Sequence, residues 1–256
     1  MMRYEEGVAK VPAAALSAPD ADLLANMIKR GKPVKLELNI DAGWNGSKTE
    51  YNVIGEITGR SKPKEIVFIG GHLDSWDLGT GAIDDGAGVA ITMAAGELIG
   101  KLKQAPKRTI RVIAFANEEQ GIVGAKAYAE AMKADVANNP LGAESDYGAG
   151  RIYALQAGVN EKSWPVMQQI SNILQPLGIV LEKDKGGPGP DVGPMAELGM
   201  PWAELAQDGT DYFDYHHTAN DTLDKIDPKA LDQQVAAYAV LAYLAAETDV
   251  DFDKKP

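Results

Sequence analysis

The chain contains no cysteine, and only three of its 256 residues are histidine. The lack of cysteine excludes disulfide bonds, thiolate metal sites and cysteine nucleophiles, so any bound metal must have nitrogen and oxygen ligands. Positive charge is also scarce, because 25 lysines and arginines face 37 acidic residues, for a formal net charge of -12. Since no basic stripe offsets this charge, we expect neither nucleic acid nor an anionic membrane surface as a partner.

Long hydrophobic runs are missing too. No apolar stretch approaches the roughly 20 residues that a membrane-spanning helix needs, and the first residues do not lead into the apolar region of a secretory signal. The composition, 45% hydrophobic and 24% charged, is that of an ordinary globular protein. A chain of this length can bury a substantial core in one large domain.

The chain changes character near residue 50. Residues 12–50 combine an alanine-rich stretch, a predicted helix at 21–30 and a polar turn at 41–46, so we treat residues 1–50 as a separate leading segment. From Tyr51 onward, predicted strands alternate with predicted helices. The strands are predicted at 52–56, 65–70 and 109–116, and the helices at 86–102, 121–133, 162–177 and 228–247. This alternation predicts an α/β layer fold, in which ligands bind at the carboxyl ends of the strands.

All three histidines lie close to carboxylates in the sequence. His72 follows the predicted strand at 65–70. Asp74 is placed to accept a hydrogen bond from the ring nitrogen of His72 that does not face a metal. The same spacing also fits a turn in which Asp74 caps the local backbone.

Two acidic doublets occur at the ends of predicted elements. Asp84 and Asp85 precede the helix at 86–102, where one carboxylate is enough for an N-cap, so the second is available for another task such as bridging two cations. Glu118 and Glu119 follow a buried strand, where adjacent carboxylates repel unless a cation or a proton intervenes. Glu119 is therefore a candidate ligand and Glu118 a candidate base. The alternatives are simple N-capping for the first doublet and a solvated loop for the second.

Three further polar residues could complete such a site. Asp146 follows a loop, and His216 and His217 lie in a polar loop with Asp221, where nearby hydroxyl and carboxylate groups could set the tautomer of one ring. Because neighbours in an extended loop point opposite ways, only one of the two rings should face the site. Aromatic residues near these segments either line a pocket for an apolar substrate side chain or pack the core: Trp76, Tyr212, Phe213 and Tyr215.

These segments together resemble the zinc-dependent exopeptidase family of bacterial leucyl aminopeptidases, and more closely its carboxypeptidase Q branch, also called plasma glutamate carboxypeptidase. The resemblance extends over residues 52–247 and rests on several motifs in the expected order. They are Gly71-His72-Leu73-Asp74-Ser75-Trp76-Asp77, Gly81-Ala82-Ile83-Asp84-Asp85-Gly86, Glu118-Glu119-Gln120-Gly121, Glu144-Ser145-Asp146, and His216-His217 with Asp221-Thr222.

The resemblance implies a three-layer α/β/α zinc-exopeptidase (phosphorylase/hydrolase-like) fold with a mixed, mostly parallel central sheet. It also implies two zinc ions per chain. The implied ligands are Asp84, which bridges both ions, His72 and Asp146 for one ion, and Glu119 and His217 for the other. His217 is selected because the family's ligand stands directly before Thr or Ser and four residues ahead of Asp, which makes His216 a rim residue. The catalytic residues are then Glu118, the general base, and Asp74.

The implied activity is that of a metallopeptidase, an aminopeptidase or dipeptidase that hydrolyses the amino-terminal peptide bond of dipeptides or short peptides. Residues 51–256 would be its catalytic domain and residues 1–50 the tail of a protease-associated domain. Members of the branch are usually secreted or periplasmic, and we expect the same location here. The chain departs from the family at 186–191, where a Gly- and Pro-rich loop replaces the more usual Ser-Asp-His segment.

Two other functions stay open on the sequence. A glutaminyl cyclase-like acyltransferase shares the fold, but it uses one zinc ion and cyclises an amino-terminal glutamine. A non-catalytic binding module on the same fold would usually lack ligands or the base, none of which is missing from this sequence. Metal analysis combined with a small dipeptide panel separates the three functions.

Overall fold

The computed structural model of the protein describes residues 7–9, 11–41, 46–183, 185–250 and 252. These residues form two compact units, one before residue 50 and one from Glu50 onward. The first unit contains helix α1 (Ala18–Lys29), which begins before the predicted 21–30 because Ser17 caps it and a proline lies in its first turn. The polar turn predicted at 41–46 falls mostly outside the described residues. That this segment is the tail of a protease-associated domain stays a prediction.

The second unit is built on a seven-stranded sheet with the order β1-β3-β2-β4-β7-β5-β6. Its strands are β1 (Val53–Ile57), β2 (Lys62–His72), β3 (Arg108–Phe115), β4 (Leu141–Glu144), β5 (Ile152–Gly158), β6 (Val180–Leu181) and β7 (Trp202–Gln207). β1 runs antiparallel to β3 and β5 runs antiparallel to β7, whereas the other neighbouring pairs are parallel. The predicted mixed, mostly parallel sheet is therefore confirmed.

Helices cover both faces of this sheet. They are α2 (Ala87–Gly100), α3 (Val123–Met132), α4 (Trp164–Leu174), α5 (Gly193–Glu197), α6 (Tyr212–Tyr215) and α7 (Pro228–Glu247). α2, α4 and α7 contribute to a large apolar cluster on one face, and α3 and α5 contribute to a second cluster on the other face. The three layers of the predicted fold class are thus confirmed. Among the described residues, no helix combines the length and apolar character needed to cross a membrane.

A buried arginine joins the end of α7 to the sheet. Arg108, the first residue of β3, is 0% exposed. Its Nε atom donates to Glu65 Oε2 over 2.6 Å, and its other N–H groups donate to the carbonyls of Ala245, Thr248 and Val250. Carbonyls at a helix end lack hydrogen-bond donors within the helix. The guanidinium of Arg108 supplies these donors, and the carboxylate of Glu65 balances the positive charge of the guanidinium.

The parallel strands β2, β3, β4 and β7 have their carboxyl ends at the same edge of the sheet. His72 is the last residue of β2, the doublet Glu118 and Glu119 follows β3, and the two remaining histidines come after β7. Asp146 follows β4, and not only a loop as the sequence suggested. The fold therefore brings all the candidate site residues to one edge.

Candidate metal centre

The first group of candidate ligands surrounds His72, which is 1% exposed. Its Nε2 atom lies 3.0 Å from Asp84 Oδ1 and 3.4 Å from Asp146 Oδ1. Its Nδ1 atom lies 2.8 Å from the backbone carbonyl oxygen of Asp74. Because a carbonyl only accepts, Nδ1 carries a proton, and in the neutral ring the lone pair of Nε2 faces the two carboxylates. A cation bound between these atoms would remove the repulsion between the Nε2 lone pair and the two carboxylates, because all of them could coordinate it.

Asp74 contacts His72 through a different atom from the one predicted. Its Oδ1 atom lies 3.6 Å from His72 Nδ1, beyond normal hydrogen-bond distance. The carboxylate instead accepts the backbone N–H groups of Glu118 over 2.9 Å and Glu119 over 3.1 Å. The carboxylate thus lies beside the ring but is held by these two N–H groups, and the backbone carbonyl of Asp74 is the atom within hydrogen-bond distance of His72 Nδ1. That the carboxylate orients the ring stays a prediction. Asp74 holds the turn that carries the second acidic doublet.

The doublet Asp84-Asp85 divides two tasks between its members. Asp85 Oδ1 accepts a backbone N–H in the first turn of α2 over 3.1 Å, and its Oδ2 accepts the backbone N–H of His72 over 2.9 Å. Asp84 is left to face the imidazoles. The carboxylate of Asp221 fixes this turn by accepting the N–H groups of Ile83 over 2.6 Å and Asp84 over 3.1 Å. Asp221 therefore positions the backbone of a candidate carboxylate ligand, and not a histidine ring as its loop suggested.

The second group of candidate ligands joins Glu119 and His217. His217 Nε2 lies 2.9 Å from Glu119 Oε2 and 3.2 Å from Asp84 Oδ2. Trp76 Nε1 donates to Glu119 Oε2 over 2.7 Å and so restrains this carboxylate. Glu119 Oε1 is buried and has no hydrogen-bond partner among the described residues. Such unpaired buried oxygens are rare in proteins, and this one favours a ligand at the site.

His216 and His217 lie on the same side of their loop. Their rings stack with centroids 3.5 Å apart, and His216 Nε2 lies 3.5 Å from Asp84 Oδ2. The expectation that the two rings point opposite ways is therefore wrong. His217 has a φ of 58°, and this left-handed conformation turns its side chain back beside its neighbour. Within the described part of the chain, only His217 of the pair also forms an ion-pair contact with Glu119.

The site concentrates negative charge in a buried place. Burial raises the pKa of Glu119 to about 8, and the charge of Asp84 adds to this shift. Burial also raises the pKa of Glu118 to about 7, with the charge of Asp146 as the next cause. Burial opposes the charged form of His72, but the carboxylates around it, Asp146 foremost, raise its pKa well above the usual value. A divalent cation would relieve the repulsion among these carboxylates.

These groups fit a metal ion in their chemistry and their spacing. Three sets have potential ligand atoms within 4.8 Å of one another: His72, Asp84 and Glu119; His72, Asp85 and Asp146; and Asp84, His216 and His217. Imidazole nitrogen and carboxylate oxygen are the ligands that zinc binds where no thiolate is present. All five predicted ligands belong to these sets, and the assignment of each to an ion stays a prediction.

Two buried carboxyl groups near the site were not selected from the sequence. Asp191 is 1% exposed, and neither of its carboxylate oxygens has a hydrogen-bond partner among the described residues. Burial raises the pKa of Asp191 to about 8. Glu144 Oε2 accepts the backbone N–H of Val192 over 2.7 Å, and burial followed by the charge of Asp191 raises its pKa as well. A single aspartate in a Gly- and Pro-rich loop has no periodic pattern that could have identified it.

The predicted aromatic residues have separate roles. The ring of Trp76 lies 5.5 Å from that of His217. Tyr212 is buried and stacks on Tyr147 with centroids 4.7 Å apart, whereas Phe213 is 66% exposed. Tyr212 belongs to the packed core and also lies 4.9 Å from the ring of His216, while the ring of Phe213 lies 5.5 Å from it.

The fold and these groups define an α/β/α protein with a candidate metal centre at the carboxyl edge of its sheet. The chain belongs to peptidase family M28, whose profile matches residues 52–242. The family and the fold predicted from the sequence are thereby confirmed.

Two solved structures and the curated relatives agree with this membership. Carboxypeptidase Q of Mus musculus is 36% identical over 249 residues, which are 97% of this chain and 53% of the mouse protein. The crystal structure of a Peptidase M28 precursor from Shewanella amazonensis SB2B is 51% identical with a TM-score of 0.96, covering 100% of this chain and 58% of that chain. An aminopeptidase from Aneurinibacillus sp. strain AM-1 is 26% identical with a TM-score of 0.66, covering 93% of this chain and 58% of that one. The chain spans about half the length of the curated relatives that it matches.

Proposed function

We propose that the protein is a two-zinc exopeptidase, an aminopeptidase or dipeptidase, that hydrolyses the amino-terminal peptide bond of dipeptides or short peptides. One observation carries the proposal. The two oxygens of Asp84 face different imidazoles, since Oδ1 lies 3.0 Å from His72 Nε2 and Oδ2 lies 3.2 Å from His217 Nε2. A carboxylate placed in this way can serve two cations at once. The peptidase and aminopeptidase names of the relatives support the reaction class.

The proposal assigns the ligands to two sets that share Asp84. One set adds His72 and Asp146, and the other adds Glu119 and His217. When bound, zinc supplies a Lewis acid that polarises the scissile carbonyl and lowers the pKa of the attacking water. The orphaned Oε1 atom of Glu119 supports its role as a ligand.

The proton steps belong to Glu118 in this proposal. Its carboxylate accepts the proton of the attacking water and returns it to the leaving amine. Asp74 keeps Glu118 in place by accepting its backbone N–H over 2.9 Å. Without zinc, burial raises the pKa of Glu118 to about 7, and a carboxyl group in a buried place holds a proton more readily than one in water.

The proposal extends to the organisation and location of the protein. Residues 51–256 are assigned as the catalytic domain, and residues 1–50 as the tail of a protease-associated domain. By the same resemblance, we place the protein outside the cytoplasm, secreted or in a periplasm.

The proposal is tested by metal analysis of the purified chain together with hydrolysis of a dipeptide panel. We expect about two zinc ions per chain and release of the amino-terminal residue of the dipeptide. A chelator should remove the zinc and abolish this hydrolysis. Zinc added back should restore the activity. One zinc ion with cyclisation of a glutamine peptide would identify a glutaminyl cyclase-like enzyme instead. Bound zinc without turnover of any peptide would identify a binding module.

A further inference from the structure

A cavity of about 360 Å³ lies beside the metal centre. This is within the size range of ligand pockets, about 300–1,000 Å³. β4 and β7 are paired only at Gly142 and Trp202, so the strands part towards their carboxyl ends and leave room there. Asp146 lines both the cavity and the metal centre. A peptide bound at the metal centre can therefore place a side chain in the cavity.

The polar lining of this cavity is rich in hydrogen-bond acceptors. It includes the carboxylates of Glu144, Asp146 and Glu204, and none of the described residues that line it is lysine or arginine. The Oε1 atoms of Glu144 and Gln207 have no hydrogen-bond partner among the described residues, although these side chains are only 9% and 7% exposed. The unpaired acceptors favour a ligand group that donates hydrogen bonds, and the carboxylate of Glu204 favours one that carries positive charge.

Glu204 is the carboxylate in this lining that neither belongs to the metal centre nor is fully buried. It lies on β7 opposite Gln156 of β5. Its Oε2 atom accepts the backbone N–H of Gly187 over 2.8 Å, while its Oε1 has no donor among the described residues. The loop at 186–191 packs closely on the Glu204 carboxylate: a Cβ atom added at Gly186 would lie only 2.3 Å from Glu204 Oε2. One oxygen therefore fixes the carboxylate and the other is available to a ligand.

We propose that this cavity binds the side chain of the substrate's amino-terminal residue and selects lysine or arginine, with Glu204 as the specificity-determining residue. The inference rests on the proposed exopeptidase function, because cleavage of the first peptide bond brings that side chain next to the metal centre. A lysine or arginine side chain has an apolar stem for the proline-lined wall and a cationic end for Glu204.

The experiment compares dipeptides that differ only in the cationic group. With the zinc-loaded protein, kcat/KM is measured for Lys-Ala and for norleucine-Ala, which has a chain of similar length without the ammonium group. We expect Lys-Ala to be preferred by about tenfold or more, the usual value of a hydrogen bond to a charged group. Glu204→Gln should bring this ratio to about one. The matched control Glu197→Gln, in an exposed carboxylate of α5 outside the cavity, should keep the preference.

Failure of this inference and failure of the proposed function give different results. Absence of turnover for every dipeptide would contradict the exopeptidase function itself. Turnover with norleucine-Ala equal to or better than Lys-Ala would overturn the cationic pocket alone. A preference for Ala-Lys over Lys-Ala would show that the cavity receives the second residue instead, which also overturns the assignment. If Glu204→Gln does not fold, the ratio of kcat/KM for Lys-Ala to that for norleucine-Ala in the unaltered protein still tests whether the cavity selects a cationic side chain.

Discussion

Asp74 Oδ1 accepts the backbone N–H of Glu118 over 2.9 Å, although the two residues are 44 positions apart in the sequence. This bond fixes the main chain of Glu118 at the end of β3. Within the described residues, no hydrogen bond holds the carboxylate of Glu118 itself, so its oxygens are available to an external proton. An anchored backbone with an unengaged carboxylate is the arrangement that a general base needs.

We predict that Glu118→Gln keeps the fold and the bound zinc but lowers kcat about a hundredfold to ten-thousandfold, because the amide keeps the shape and removes the proton acceptor. Dipeptide hydrolysis and zinc content measured on the same sample check this. Glu130→Gln, in an exposed carboxylate of α3, is the control and should leave kcat unchanged. Near-normal turnover of Glu118→Gln would contradict the assignment.

The two stacked histidines should differ in their effect on metal binding. His217→Ala should lower zinc affinity by at least about ten- to a hundredfold, since even partners outside the coordination shell contribute that much. His216→Ala should keep both ions, because His216 lacks the contact with Glu119 that His217 makes. Competition with a chelator of known affinity measures both variants. Equal losses in the two would assign His216 to the metal.

Substitution of the shared carboxylate should affect both ions together. Asp84→Asn removes the negative charge that the two oxygens share, and one of these oxygens faces each imidazole. We therefore expect both zinc ions to be lost over the same range of chelator concentration. Glu119→Ala should release one ion first, since the proposal assigns Glu119 to the second set and His217 Nε2 lies 2.9 Å from its Oε2 atom. Metal content during a chelator titration distinguishes the two patterns. Retention of one tightly bound ion in Asp84→Asn would exclude bridging by Asp84.

The stability of the zinc-free protein should fall as the pH rises. The pKa values of Glu118 and Glu119, about 7 and about 8, lie above the ordinary value of 4.5. The folded state therefore binds protons that the unfolded chain has already lost, and this advantage disappears as the pH rises from 4.5 to about 8. Melting curves after chelation should show a falling Tm across this window, by about 2–4 °C per kcal/mol. With zinc bound, the fall should largely vanish, and a Tm that rises in the zinc-free protein would contradict the argument.

Arg108→Ala should destabilise the second unit by about 3–5 kcal/mol, because it leaves Glu65 and the carbonyls at the end of α7 without their buried partner. Lys107→Ala is the matched control at the next position. Lys107 forms an exposed ion pair with Asp249, and loss of such a pair should cost about 0–1 kcal/mol. Urea unfolding of both variants measures the difference, and similar costs would refute the anchoring role of Arg108.

The sequence predicts those parts of the molecule whose signals are local. α7 lies at 228–247 as predicted, because Asp227 caps it and Pro228 opens it. β4 and β6, of four and two residues, are too short to show a period, and Glu204 interrupts the apolar pattern of β7. These strands were therefore not predicted.

The candidate site also has features that the sequence predicts and features that it does not. Residue types and their order indicate which side chains converge, because carboxyl ends of parallel strands share one edge. The direction of His217 depends on a single positive φ, and the new partners of Asp74 depend on a turn 44 residues away. Such contacts between distant segments have no pattern in the sequence around either residue.

The carboxylate of Asp221 accepts a hydrogen bond from the backbone N–H of Asp84, which lies 137 residues earlier in the sequence. During synthesis, the turn that presents Asp84 must therefore wait for a segment made much later. A nascent chain that still has residue 221 inside the ribosome lacks this clamp and both histidines that precede it. If the proposed ligand set is right, it can bind zinc in full only late in synthesis, after most of the unit from Glu50 onward has emerged.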